Sequence, residues 1–311
     1  MTQRLTESLH PDAIGLDGRS DGQILGALLG GQQDAISAVT LALEAIGQAS
    51  ALMVRCLRAG GRLIYAGAGS SGLMALADAA ELGGTFGVPA RQIKICMAGG
   101  IPVEAAMPGD TEDDAAAGKV AADDLCADDL VIAVTASGST PFPLALAAAA
   151  RARGCRVVSI ANNRDAEIFH QSDVAILLAT PPELIAGSTR LGAATAQKAA
   201  LNLMSSLTGI RLGQVHDGMM VGLIADNDKL RARAVDTVSA IADTDRETAG
   251  QALARSSGDT KMAVLLAMGA GLADAAALLA ETDGNLRAAI ARLRPSAERH
   301  EVKKTNQGSK R

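Results

Sequence analysis

The chain has 311 residues, 48% of them hydrophobic and 20% charged, enough for one large domain with a smaller companion. A net charge of −5, a single Tyr, 3 Phe and no Trp exclude a nucleic-acid reader, which needs a basic stripe and stacking aromatics. Cys56, Cys96, Cys126 and Cys155 lie far apart and lack histidines at ligand spacing, which excludes a zinc site and a disulfide framework and reads each as a small core residue.

The opening "MTQRLTESLHPDAIGLDGRS" is polar, with no apolar stretch that could serve as a signal peptide. No run approaches membrane-spanning length, so the expectation is a cytoplasmic protein without a membrane partner. Residues 1–50 read as a helical arm, with helical patterns over Asp21–Leu29 and Gln33–Ala59. Residues 51–216 carry five short β-rich runs: Arg62–Gly67, Ile93–Ala98, Leu130–Ala136, Arg156–Ala161 and Val174–Ala179. Ala/Leu-rich segments of helix length separate them. Near-continuous apolar strands alternating with helices predict an α/β fold with a doubly wound parallel five-stranded sheet in a three-layer α/β/α sandwich. Ligands of such sheets sit beyond the carboxyl ends of the strands. Ser188–Ile210 reads as a long helix with a Ser/Thr cap. Connecting helices are expected over 217–248, with one at about Asp226–Asp243. A small three-helix module over 249–294 is punctuated by Gly258, Gly269, Gly271 and Gly284. The charged residues 295–311 lack an apolar face and read as a disordered tail.

Two loops at predicted strand ends carry the chemistry. The first, Gly67-Ala68-Gly69-Ser70-Ser71-Gly72, leads from a strand into a helix whose N–H groups and dipole favour an anion. Its spacing is that of a dinucleotide site, but the next strand ends Cys96-Met97-Ala98-Gly99-Gly100, with no acid for a ribose. A phosphate monoester held by Gly69, Ser70, Ser71 and Gly72, or a purely structural turn, are the other readings. The second loop, "TASGSTPFP", offers Ser137, Gly138, Ser139 and Thr140 before a helix opened by Pro141. Two such loops on one sheet suit a sugar phosphate. Ser188, Thr189 and Arg190 form a third cluster, either a helix cap or a clamp for an acidic group. Glu81 and Glu112 fall in connections read as lying at the same sheet edge. A carboxylate pair without metal ligands suits general acid/base work. The bland alternatives are a solvated side chain for Glu81 and a helix N-terminal charge for Glu112.

In order along the chain, "GAGSSG…DAAELGGTFGVP", "MAGG", "EDDAAAG", "ASGSTP", "SIANN", "ELIAGSTRLGAATAQKAALN" and "IRLGQV" resemble the N-acetylmuramic acid 6-phosphate etherases, a family of the sugar isomerase (SIS) fold group. The resemblance extends to "TESLHPDAIGLD" and to the C-terminal helices, which are similar to a ubiquitin-associated module. It departs from the family at Leu73 and Ser139, where arginines are usual, and at Leu82-Gly83-Gly84, where Cys-Pro-Pro is usual. The resemblance implies a cofactor-free, metal-free lyase that releases D-lactate from N-acetylmuramate 6-phosphate by elimination and hydration, in recycling of cell-wall amino sugars. It further implies a homodimer, for which the small-residue stretch Ala193–Ala200 offers a close-packing face. Glu81 matches the family's acid, and apolar Leu73, Met74, Leu76 and Leu82 are expected to desolvate it. Glu112 matches its second glutamate, the expected base at the start of a helix. A lyase or isomerase on another amino-sugar phosphate, and a non-catalytic sugar-phosphate-binding regulator, are the alternatives.

Overall fold

The computed structural model describes residues 5–104 and 109–293; the expected tail over 295–311 lies outside them. Contacts divide the chain into two compact units. One comprises the residues through Glu81 together with Pro89–Thr208; the other comprises Leu82–Val88 and the residues from Gly209 onward.

The first unit begins with α1 (Asp21–Ala38) and α2 (Leu43–Arg58). The sheet and its covering helices follow as β1 (Leu63–Gly67), α3 (Gly69–Phe86), β2 (Ile93–Met97), α4 (Ala115–Val120), β3 (Leu130–Thr135), α5 (Pro141–Ala152), β4 (Arg156–Ala161), β5 (Val174–Leu177) and α6 (Gly192–Arg211). All five strands are parallel, in the order β2-β1-β3-β4-β5. This is the doubly wound order in which the chain turns in opposite directions from β1, leaving a crevice between the ends of β1 and β3. β1 and β3 are buried along their whole length, as strands covered on both faces must be. Ile64, Val131, Ala133, Val157, Phe142 and Leu146 belong to one core cluster, in which α5 lies over the sheet.

The break between α1 and α2 is not at Gly30-Gly31, where the sequence pattern suggested it. α1 runs through both glycines, and the turn falls at Val39–Ala42. Glycine costs a helix about 1 kcal/mol, but here it admits a neighbour: a Cβ on Gly31 would stand 2.7 Å from Leu184 Cδ2. The expectation about apolar runs also needs correction. Asp21–Arg58 is long and apolar enough to cross a membrane by length and composition alone. In the fold, α2 spends its apolar face on β1, β3 and β5, burying Ile46, Ala49, Met53 and Leu57. Cys126 is exposed, whereas Cys56, Cys96 and Cys155 are buried as expected. Burial pushes the Cys56 thiol up to about 12, which leaves it unreactive.

At the amino edge of the sheet, Arg62 and Asp129 lock the starts of β1 and β3. The Asp129 carboxylate accepts hydrogen bonds from the Arg62 guanidinium at 2.7 and 3.1 Å, from the Arg62 N–H at 2.9 Å and from the Cys126 N–H at 3.0 Å. Burial alone would raise the Asp129 pKa, but these donors outweigh it and hold the group below the usual carboxylate range. A carboxylate whose folded pKa is depressed stabilises above its unfolded value and loses that contribution as pH falls through the folded one. Asp129→Ala is therefore expected to cost about 3 kcal/mol at pH 7, seen as a lower thermal midpoint. The gap to wild type should close progressively below about pH 4. A gap unchanged between pH 7 and pH 3 would show that the ion pair contributes nothing.

The second unit contains a hairpin, β6 (Val215–His216) and β7 (Met219–Met220), joined by Asp217 and Gly218, both at positive φ. Asp-Gly is the favoured pair for such a turn, a signal present in "VHDGMM" that the strand reading passed over. Then come α7 (Asp228–Ala242), α8 (Arg246–Arg255), α9 (Thr260–Ala267), α10 (Leu272–Glu281) and a last helix over 286–293. Four short helices, α8, α9, α10 and the last, thus end the described chain, one more than the three that the sequence pattern separated. Asn227, Asp245 and Asp259 cap α7, α8 and α9 by accepting a backbone N–H three residues on. Val238, Ala249, Ala263, Val264, Leu265 and Ala289 pack their common core.

Candidate functional site

Register brings the two loops together. Gly67 at the end of β1 pairs with Val134 of β3, so Ala68 and Thr135 leave adjacent strands at the same level, about 4.8 Å apart. The first loop is tight: a Cβ on Gly67 would lie 2.9 Å from the Gly72 backbone, and Gly69 sits at φ +51. Only glycine adopts these positions without strain. Ser71 is buried at the start of α3, and Ser70 is half-buried.

The second loop gathers hydroxyls. Thr140 Oγ1 stands 2.8 Å from Thr135 Oγ1 and 3.2 Å from Ser137 Oγ. The Gly138 N–H donates to Thr135 Oγ1 and the Ser139 N–H to Ser137 Oγ, each at 3.2 Å. Gly138 takes φ +79, and a Cβ there would collide with Ala166. This compact ring at the opening of α5 includes Thr135, the first residue of "TASGSTPFP", which is not among the binding residues expected from the sequence. The strand's last side chain faces the loop that follows it.

Glu112 reaches the first loop from β2. It does not begin α4, as the sequence suggested: Asp114 caps that helix through the Ala117 N–H at 2.8 Å. Glu112 lies in the 3₁₀ turn Thr111–Asp113, and a Cβ on Gly69 would be 2.5 Å from its Oε1. The helix dipole that faces this carboxylate is therefore that of α3. The Glu112 carboxylate thus lies against the first loop at the start of α3.

Glu81 stands elsewhere. It is exposed and lies twelve residues along α3 from Gly69, about 18 Å at 1.5 Å per residue. α3 runs back from the carboxyl edge of the sheet, so Glu81 does not share that edge with Glu112. Of the apolar neighbours expected to desolvate it, Leu82 is buried at 2% exposure, while Leu73, Met74 and Leu76 are half-buried and leave Glu81 open to solvent. One turn before Glu81, Asp78 is buried with its carboxylate accepting from the Tyr65 hydroxyl at 2.9 Å and from Asn202 Nδ2 and Ser205 Oγ at 2.8 Å. Burial pushes Asp78 above the usual carboxylate range against the pull of these three donors, with the Glu81 charge adding a smaller upward push. The network ties α3 to β1 and α6 and so fixes where Glu81 emerges. Its partners are far apart in sequence; only the isolated buried-strand tyrosine hinted at it.

The third cluster is a turn rather than a cap. α6 begins at Gly192, and the buried Glu183 carboxylate accepts the N–H groups of Gly192 and Ala193 at 2.9 and 2.8 Å. Ser188 and Thr189 are half-buried and Arg190 is exposed in the turn before it. The Ala193–Ala200 face is not free for a partner, because Ala193, Ala194, Ala196 and Ala200 are all buried within the chain. Among the described residues, no three His, Cys, Asp or Glu side chains converge to hold a metal ion.

The sequence profile of the SIS domain matches residues 33–162. The chain is 41% identical over 288 residues to the N-acetylmuramic acid 6-phosphate etherase of Deinococcus radiodurans, covering 91% of this chain and 94% of that one. It is 38% identical to the protein of the same name from Serratia proteamaculans, over 93% of this chain and 98% of the relative. The Mycolicibacterium smegmatis etherase is likewise 38% identical, with 92% and 97% covered. Among solved structures, a phosphoheptose isomerase from Francisella tularensis is similar at 20% identity and a TM-score of 0.44, covering 62% of this chain and 98% of that one.

Proposed function

Because the chain belongs to the N-acetylmuramic acid 6-phosphate etherase family, we propose that it cleaves the lactyl ether of N-acetylmuramate 6-phosphate in the cytoplasm. The products are N-acetylglucosamine 6-phosphate and D-lactate. The observation that carries this reading is the Glu112 carboxylate against Gly69, beside the hydroxyl ring of Thr135, Ser137 and Thr140. The hydroxyls of Ser137, Ser139 and Thr140 receive the phosphate, with Ser70 and Ser71 lining the crevice.

With the sugar open, the C1 aldehyde acidifies the C2 proton. Glu112 takes that proton, and the resulting enolate expels the oxygen at C3. An alkoxide is a poor leaving group, so an acid must protonate it as the bond breaks. Water then adds across the unsaturated aldehyde. Glu81 is the family's acid by position, yet it lies about 18 Å from Gly69 along its own helix. The reading that reconciles both is a homodimer in which Glu81 of the partner subunit completes the site. Exposed Leu25 and Leu29 on α1, 65% and 59% accessible, support a second copy as the cover of that face.

The direct test is D-lactate release from N-acetylmuramate 6-phosphate by the full chain. Turnover is expected to survive chelation and dialysis and to need no nicotinamide. Absence of lactate, or activity restored only by a divalent ion, overturns the proposal.

A further inference from the structure

Residues 5–7 are tied to two loops at the carboxyl edge of the sheet. The Leu5 N–H donates to Asn163 Oδ1 at 3.0 Å, and Asn163 Nδ2 donates to Thr6 Oγ1 at 3.2 Å and to the Ala136 carbonyl at 3.0 Å. The Gly187 N–H donates to the Thr6 carbonyl at 3.2 Å. Asn163 and Thr6 are both buried, and the amide uses its acceptor and its donors in one joint. Ala136 belongs to the hydroxyl loop, and Gly187 opens the turn that bears Ser188 and Thr189. Residues 5–7 therefore strap two loops of the carboxyl edge together.

The strap aims one group. Thr6 points inward, while the next residue, Glu7, is exposed, and a Cβ on Gly187 would stand 3.5 Å from Glu7 Oε2. The loops on either side present hydroxyls, which turn their hydrogens toward a bound phosphate. The sugar's own hydroxyl and amide hydrogens then need acceptors, and Glu112 is committed to proton transfer. An ionised carboxylate only accepts. We propose that Leu5–Glu7 is a built part of the sugar-phosphate site, in which Glu7 accepts a hydrogen bond from a sugar hydroxyl or amide N–H and so reads the sugar rather than the phosphate. This rests on the reading of the carboxyl edge as the sugar-phosphate site.

Equilibrium binding separates the two ligand parts. N-acetylglucosamine 6-phosphate and inorganic phosphate are titrated into wild type, Glu7→Ala and Asn163→Ala, each as the full chain. For Glu7→Ala the sugar-phosphate Kd is expected to rise roughly 10- to 100-fold, as for a lost hydrogen bond to a charged group. Its phosphate Kd and thermal midpoint should stay at the wild-type values. Asn163→Ala, which frees the strap, should weaken the sugar phosphate likewise; should it unfold, Glu7→Ala alone decides. Unchanged sugar-phosphate binding by Glu7→Ala overturns the proposal, and so does a parallel loss of both ligands, which would mean loop distortion. A wild type that binds the sugar phosphate but releases no lactate sinks the etherase reading and leaves this one standing. A wild type that binds no sugar phosphate overturns both.

Discussion

Glu112→Ala is expected to abolish both D-lactate release and the exchange of the substrate C2 proton with solvent deuterium, each by roughly 10²-fold or more. Proton removal comes first, and no later step runs without it. The proposal that Glu112 is the base rests on three features: the 3₁₀ turn after β2, the missing side chain at Gly69 that lets its carboxylate approach, and the start of α3 beside it. Glu81→Ala should behave differently. It should stop lactate release to a similar degree yet still exchange the C2 proton, because the base is intact and only the leaving oxygen lacks its acid. The measurement is deuterium incorporation at C2 beside a lactate assay. Exchange lost in Glu81→Ala, or kept in Glu112→Ala, would reverse or share the roles. Full turnover by either variant would make that carboxylate structural.

Mixing those two inactive variants is expected to restore activity. If Glu81 serves the partner's loop, a heterodimer of Glu81→Ala with Glu112→Ala contains one site with both carboxylates and one with neither. Random exchange at equal amounts then yields about a quarter of the wild-type sites, a large gain over two dead parents. The geometry that motivates this is the roughly 18 Å of helix between Gly69 and Glu81, too long for one small substrate to bridge. Subunits would be exchanged by mild dilution and reconcentration, and lactate release then measured. A mixture as inactive as its parents, with exchange of tagged subunits demonstrated, would place the whole reaction within one protomer.

The parallel sheet was legible without coordinates. Apolar runs such as Leu63–Ala66 and Leu130–Val134 can only be strands covered on both faces, and the helical segments between them impose parallel crossovers. The two strand-end loops were equally legible, because positive φ and close approach demand glycine at Gly69 and Gly138 wherever the chain turns so tightly. These are local requirements, and residue type alone expresses them.

The partners of the polar groups were decided only in the folded chain. Glu112 lies over Gly69 from a different connection, Glu183 takes the α6 cap that Ser188 and Thr189 were expected to form, and Asp78 is held by donors from β1 and α6. Asn163 grips a segment 157 positions earlier in the chain. Glu81, expected to be desolvated by apolar neighbours, is exposed, while Leu82, turned from it by about 100° on the helix, is the one that enters the core. Periodicity tells a side chain whether it faces the core; which distant group meets it there depends on how strands and helices are packed.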